Sequence, residues 1–203
     1  LSTQTRPDGN ALPTIIERWI SGIQTSVATE SGLDHGSPEF VSQVKSRILG
    51  TLNDMQELIH GFDFGSVLAT YYQGYAENNE ELKSSALRWM RGEYGTKTEA
   101  YAALKIRTII DSDNFYDYLK VFAIFFRKIG YSGFTVCLDE AAYLYTITNS
   151  VSRKNNYEAI LSIINDCLQG KAAHIGFIFG GTPEFLEDQR RGLFSYEALR
   201  SRL

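Results

Sequence analysis

The stretch GYSGFTVCLDEAAYL, Gly130 to Leu144, ends a short apolar run on two adjacent carboxylates, Asp139 and Glu140. An ionised pair is strongly disfavoured in a dry interior without compensating partners, so these two belong where an element meets solvent. A second apolar run, HIGFIFGGTPEF, stops at a Gly-Gly-Thr-Pro turn and places Thr182 in an equivalent position. Mg²⁺ takes one or two carboxylates together with substrate phosphate oxygens and keeps several waters. Asp139 suits the hydrated ion. Glu140 suits the orientation or deprotonation of an attacking water, and Thr182 a hydrogen bond to that water or to a γ-phosphate, roles used in nucleotide hydrolysis. A plainer reading stays open, in which Asp139 caps the following helix and Glu140 is a solvated first-turn residue.

The elements that must position these groups follow from the hydrophobic pattern. GFTVCLDE is apolar and β-branched without alternation, the pattern of a strand buried on both faces of a parallel sheet. NNYEAILSIINDCLQG reads as an amphipathic helix closed by Gly170, and HIGFIFGGTPEF as a second buried strand that stops at its Gly-Gly-Thr-Pro turn. Strand, helix and strand in that order predict a right-handed parallel crossover, with ligands beyond the carboxyl ends of the strands. The first 130 residues read as almost wholly helical. Leu12, Ile15, Ile16, Trp19, Ile20 and Ile23 stripe one helix face. Ser37 and Pro38 are suited to N-cap and N1, and Phe40, Val41, Val44, Ile48, Leu52, Met55 and Ile59 carry the period onward. Two helices broken near AENNEE follow. Thr96 and Glu99 have capping-box spacing, and the helix in DNFYDYLKVFAIFFRKIG is suited to end at Gly130.

With 203 residues, 43% hydrophobic and 22% charged, the chain can bury one sizeable core. A formal charge of −4 gives no general reason for nucleic-acid binding over the whole surface. Cys137 and Cys167 fit reduced, buried thiols and a cytoplasmic location better than a disulfide framework. No apolar segment approaches the roughly 20 residues that span a bilayer, so no membrane association is expected. His35, His60 and His174 have no metal-ligand spacing. Tyr71, Tyr72, Tyr75, Tyr94 and Tyr101, near Arg88 and Arg91, suit either helix packing or a stacking surface for nucleic acid. DNA contact through TKTEAYAALKIR lacks the partner helix and turn of a helix-turn-helix.

GFTVCLDEAAYL resembles the Walker B segment of additional-strand P-loop ATPases, IGFIFGGTPEFL resembles their sensor-1 strand, and YEALRSRL resembles the arginine-finger box of AAA+ proteins. More narrowly, ALRWMRGEYGTKTEA, YSGFTVCLDEAAYLY and GFIFGGTPEFLEDQRRGLFSYEALRSRL together resemble the bacterial P-loop ATP-binding proteins associated with bacteriophage exclusion (BREX) systems. The resemblance covers essentially the whole chain. It implies an α/β fold, a P-loop NTPase-type parallel sheet remnant with a large all-helical N-terminal or insert region. On that reading residues 1–130 are the helical region and 131–203 the ATPase core portion. It also implies ATP and Mg²⁺ as ligands. Asp139 becomes the aspartate on the metal side, acting through water, Glu140 the catalytic glutamate and Thr182 the sensor-1 residue. Arg202 is the first arginine-finger candidate and Arg200 the second. The implied partners are further copies of the chain and other defence-system proteins, with DNA a further possibility.

The departure from the pattern concerns the phosphates. The string G-x-x-x-x-G-K-[ST], whose N–H groups and Lys bind them, is absent from the sequence. RGEYGTKT, Arg91 to Thr98, has the wrong spacing and no strand before it, and reads as a turn plus a helix cap. The expectation is a fragment of a longer protein, without the Walker A loop and a weak nucleotide binder. Its strand pair would leave one edge open to solvent or another copy. Two functions remain in view. One is part of an ATPase that couples hydrolysis to remodelling of a protein or DNA complex. The other is a non-hydrolysing scaffold with a vestigial acidic pair. Arg190 and Arg191 suit either a solvated basic face or the nucleotide of a neighbouring subunit.

Overall fold

In a computed structural model of the chain, residues 11–55 and 58–203 are described, and they fall into two units, Leu1–Val121 and Phe122–Leu203. The division runs through a single helix. Helices dominate, joined by one small parallel sheet.

The first unit is built from amphipathic helices. α1 (Ala11–Ser31) buries Ile16, Ile20, Ile23 and Val27, and α2 (Pro38–Leu52) buries Phe40, Val44, Ile48 and Leu52. Spacings of three and four residues put each set on one face, and each large side chain removed from water contributes about 1.5–3 kcal/mol. Ser37 Oγ accepts the Phe40 N–H at 3.1 Å, so the expected cap is present. The expected continuation of α2 through Met55 to Ile59 is not. The chain tightens into a 3₁₀ turn over Asn53–Met55, and Ile59 is 68% exposed next to left-handed His60. α3 (Gly61–Ala76) and α4 (Glu80–Met90) form a hairpin whose turn places Asn79 as the N-cap of α4. Lys83 bridges Glu17 and Glu80, and Tyr71 donates its phenol to Glu17 at 2.7 Å, tying α1, α3 and α4 together.

The decoy RGEYGTKT is a turn and a cap. Gly92, at φ +70°, closes α4 while Glu93 N–H returns to the Arg88 carbonyl, a Schellman arrangement. Thr96 Oγ1 then accepts the Glu99 N–H at 3.2 Å to open α5 (Lys97–Leu104). Only half of the capping box forms, because the Glu99 carboxylate pairs with Arg88 at 2.8 Å instead. The segment after α5 is fixed by Trp89, whose indole N–H donates to the Thr108 carbonyl at 2.7 Å. α6 (Phe115–Lys128) begins in this unit with Tyr118, which stacks on His60 and meets Trp89 edge-on. Burial pushes the Tyr118 phenol up to about 12.

The second unit starts with the last turns of α6, closed by Gly130 at φ +100°. Phe126 packs against Phe134, the first residue of β1 (Phe134–Leu138). α7 (Tyr143–Thr146) and α8 (Ser150–Leu168) lead to β2 (Ile175–Phe179), which pairs with β1 in parallel, Phe134 opposite Ile175 and Leu138 opposite Phe179. α9 (Pro183–Glu187) and α10 (Glu197–Arg200) follow, and Ala141, Tyr157, Ile160, Phe185, Leu193 and Leu199 form the core. Two expectations fail here. Burial on both sheet faces is not seen, because Phe134, Val136, Ile175, Phe177 and Phe179 are half-buried while Thr135, Cys137, Gly176 and Ile178 are exposed. The cysteines are free thiols as expected, but both are exposed.

Candidate functional site

Parallel pairing brings the carboxyl ends of β1 and β2 side by side. The ladder continues one step past the strands: Gly180 N–H donates to the Leu138 carbonyl at 2.9 Å, and Ala141 N–H donates to the Gly180 carbonyl at 2.8 Å. These bonds seat Asp139 and Glu140 directly against the turn after β2. A cleft of about 400 Å³ opens there, lined by Asp139, Glu140 and Thr182 together with Ala142, Tyr143, Thr146, Gly180 and Gly181. The three residues singled out at the strand ends therefore share one cavity. Both carboxylates and Thr182 are exposed.

Local geometry refines each role. Asp139 Oδ1 accepts the Glu140 N–H at 2.9 Å, which leaves Oδ2 for an outside partner. Asp139 does not cap a helix by this bond, since α7 begins with Ala142 at its N-cap and no side-chain bond there. Glu140 is left-handed at φ +56°, an uncommon state for a residue with a Cβ. Gly180 leaves room for the aspartate, because a Cβ there would stand 3.3 Å from Asp139 Oδ1. Thr182 precedes Pro183 at the start of α9 and makes no capping bond. Its hydroxyl and the Glu184 backbone N–H hold the Glu184 carboxyl below its usual range, the backbone N–H being the larger cause.

The arginines lie elsewhere. Arg202 donates from Nε to Asn165 Oδ1 at 2.7 Å and from Nη1 to the Ala198 carbonyl at 2.7 Å, while Arg200 is exposed at the end of α10. Neither lines the cleft. Arg190 and Arg191 sit in a turn rather than on a helix face, both giving their backbone N–H to Asp188 Oδ1. These N–H groups are the main reason the Asp188 carboxyl lies below its usual range. The Arg191 guanidinium donates to the carbonyls of Thr146 and Ile147 and lies over the Tyr145 ring, fixing the end of α7. Tyr143, 67% exposed in the cleft wall, and the α7 anchor Arg191 were not singled out for this cleft from the sequence. The available signal was an aromatic four residues after Asp139 in an otherwise solvent-facing turn.

A cation held wholly by protein ligands does not fit, since no cluster of three His, Cys, Asp or Glu occurs among the described residues. Hydrated Mg²⁺ fits better, because it needs only one or two carboxylates and completes its shell from water and phosphate.

A family model described as BREX system ATP-binding protein BrxC/D matches residues 1–203, the whole chain. The chain belongs to this family. Searches of curated proteins and of solved structures found no match. Membership of the BREX family gives the chain an ATP-binding role in phage defence and places its partners among defence proteins. Among the described residues no helix is long and apolar enough to cross a membrane.

Proposed function

We propose that this BREX family member contributes the hydrolytic side of an ATP site, with Asp139, Glu140 and Thr182 acting in the cleft beyond β1 and β2. One observation carries the reading: two exposed carboxylates and a hydroxyl from the ends of adjacent parallel strands line one cavity. The order β1, α7 and α8, β2 supports a P-loop NTPase-type core, in which ligands sit at those strand ends. Mg²⁺, when bound, neutralises charge on the phosphates, and Asp139 holds it through water. Glu140 orients a water molecule and takes its proton as the oxygen attacks the γ-phosphorus. The bond to the β-phosphate bridging oxygen breaks, leaving ADP and phosphate. Thr182 donates its hydroxyl to the attacked phosphate.

Arg202, with Arg200 as second candidate, acts on the nucleotide of a neighbouring copy in a homo-oligomer, where a guanidinium offsets transition-state charge. The absence of both from the cleft of their own chain is compatible with this arrangement. Hydrolysis then drives remodelling of a protein or DNA complex. The scaffold reading keeps two specific supports: among the described residues no Lys or Arg lines the cleft, and the sequence contains no phosphate loop.

The test is Glu140→Gln in a polypeptide that joins this chain to a phosphate loop. The substitution keeps size and removes the base, so turnover is expected to fall by about 100-fold or more while ATP affinity stays within about twofold. Unchanged turnover removes Glu140 from the mechanism and favours the scaffold.

A further inference from the structure

The first unit carries a basic, aromatic surface that the ATP cleft does not use. Between Arg88 and Arg107 the sequence has five cations, Arg88, Arg91, Lys97, Lys105 and Arg107, against two carboxylates, Glu93 and Glu99, in a chain of net charge −4. Glu99 is already engaged by Arg88. Packing explains the other tyrosines of this region, because Tyr71, Tyr72 and Tyr94 are buried and Tyr75 is half-buried, with Lys83 Nζ, itself paired to Glu17 and Glu80, 5.6 Å from its ring centroid. Tyr101 is different. It stands on α5 with 43% of its surface exposed, and two cations lie over its ring, Lys105 Nζ at 5.4 Å and Arg107 Cζ at 5.3 Å from the centroid.

Lys97 and Tyr101, four residues apart, share one face of α5 with about 6 Å of rise between them, and Lys105 follows at the left-handed C-cap, φ +59°. Lys97, Lys105 and Arg107 are exposed, and none has a carboxylate within ion-pair distance among the described residues. Lys105 also has a local use, donating to the Ala102 carbonyl at 3.4 Å at the end of the helix. Lys97 has the opposite placement. It occupies the first helical position, where the macrodipole disfavours a cation, so helix stability does not account for it.

We infer that this surface binds single-stranded nucleic acid, a base stacking on the Tyr101–Arg107 pair and the flanking phosphates meeting Lys97 and Lys105. Aromatic rings and guanidinium planes accept any base face, and lysines at the two ends of a short helix neutralise phosphates on either side of it. A duplex offers the phosphates but keeps its base faces stacked. An acidic peptide offers the charge without a planar ring. The chemistry therefore distinguishes the three.

Fluorescence anisotropy of the full chain with a labelled oligothymidine at low salt tests the inference. Binding should weaken with salt, and the duplex of the same length should bind less tightly. Tyr101→Ala and Arg107→Ala should each lower affinity by roughly tenfold, while Tyr101→Phe, which keeps the ring, should stay within about twofold of wild type. Lys97→Ala and Lys105→Ala should each reduce the slope of log affinity against log salt by about 0.7. These residues are exposed, and circular dichroism of each variant should match wild type. The inference is overturned by an absence of binding at low salt, by duplex binding of equal strength, or by affinity that survives both Tyr101→Ala and Arg107→Ala. Poly-glutamate competing as well as oligothymidine also overturns it, since that marks a charge patch alone.

Discussion

At the scale of single residues, the chemistry proposed for the cleft needs particular side chains where apolar runs stop. Asp139, Glu140 and Thr182 announce themselves by polarity at the end of a strand pattern, and parallel pairing brings them to one cavity. The backbone state of Glu140 was not legible. No residue-type preference predicts a glutamate at φ +56°; the bonds from Glu140 N–H to Asp139 and from Ala141 N–H to Gly180 hold it there. A non-glycine residue in this region carries strain of order 1 kcal/mol, and such strain gathers at functional sites. Glu140→Gly relieves it. The variant is therefore expected to melt at or above the wild-type temperature, although it removes the group proposed above as the base for hydrolysis. Ala159→Gly, at an exposed position inside α8, provides the contrast and should cost about 1 kcal/mol. Thermal melts of both variants followed by circular dichroism check this. A Glu140→Gly melt as low as that of Ala159→Gly would mean the turn stores no strain.

At the scale of elements, helices were read more reliably than the sheet. Caps are local chemistry, so Ser37 and Thr96 mark their helices in the sequence and in the structure alike. The end of α2 was missed because Met55 continues the apolar period after the backbone has already tightened into a 3₁₀ turn. The strands were misread on burial, since an unbroken apolar run does not reveal how many layers will cover it. Thr135, Cys137 and Gly176 are the small residues on the open face, a weak alternation that Ile178, 59% exposed, conceals. Close approach of helices is likewise invisible until they are placed. At Gly74 a Cβ would stand 2.9 Å from the Lys83 backbone nitrogen and 3.0 Å from the Asn79 carbonyl oxygen. Gly74→Ala must part α3 from α4 and is expected to cost about 2 kcal/mol or more. Gly65, in the same helix, meets nothing nearer than Leu52 Cδ1 at 3.7 Å, an ordinary contact. Gly65→Ala should be neutral or stabilise by up to about 1 kcal/mol, through helix propensity and a less free unfolded chain. In urea melts the Gly74→Ala midpoint should fall while that of Gly65→Ala holds or rises. Equal destabilisation would mean that the α3–α4 approach is not the limiting contact.

At the scale of the whole molecule, family and cleft together raise a question of charge. The chain belongs to an ATP-binding family, yet among the described residues the cavity at its strand ends is lined by two carboxylates and no cation. A polyphosphate brought there meets like charge. Mg²⁺ can bridge the two, but it cannot replace the converging backbone N–H groups and lysine that ordinarily bind phosphates, and the sequence has no string that would supply them. The four arginines near the end do not fill that role within one chain. Arg191 is engaged by the α7 carbonyls, Arg202 by Asn165 and Ala198, and Arg190 and Arg200 do not line the cleft. Calorimetry of this chain with ATP and Mg²⁺ is accordingly expected to give no dissociation constant below about 1 mM, a binding free energy no better than about −4 kcal/mol. Asp139→Ala should leave that weak signal unchanged, because a hydrated ion held by one carboxylate adds little without anchored phosphates. A micromolar constant that Asp139→Ala abolishes would show the acidic cleft to be a sufficient nucleotide site in itself. The division of labour between metal-side and phosphate-side groups would then have to be abandoned.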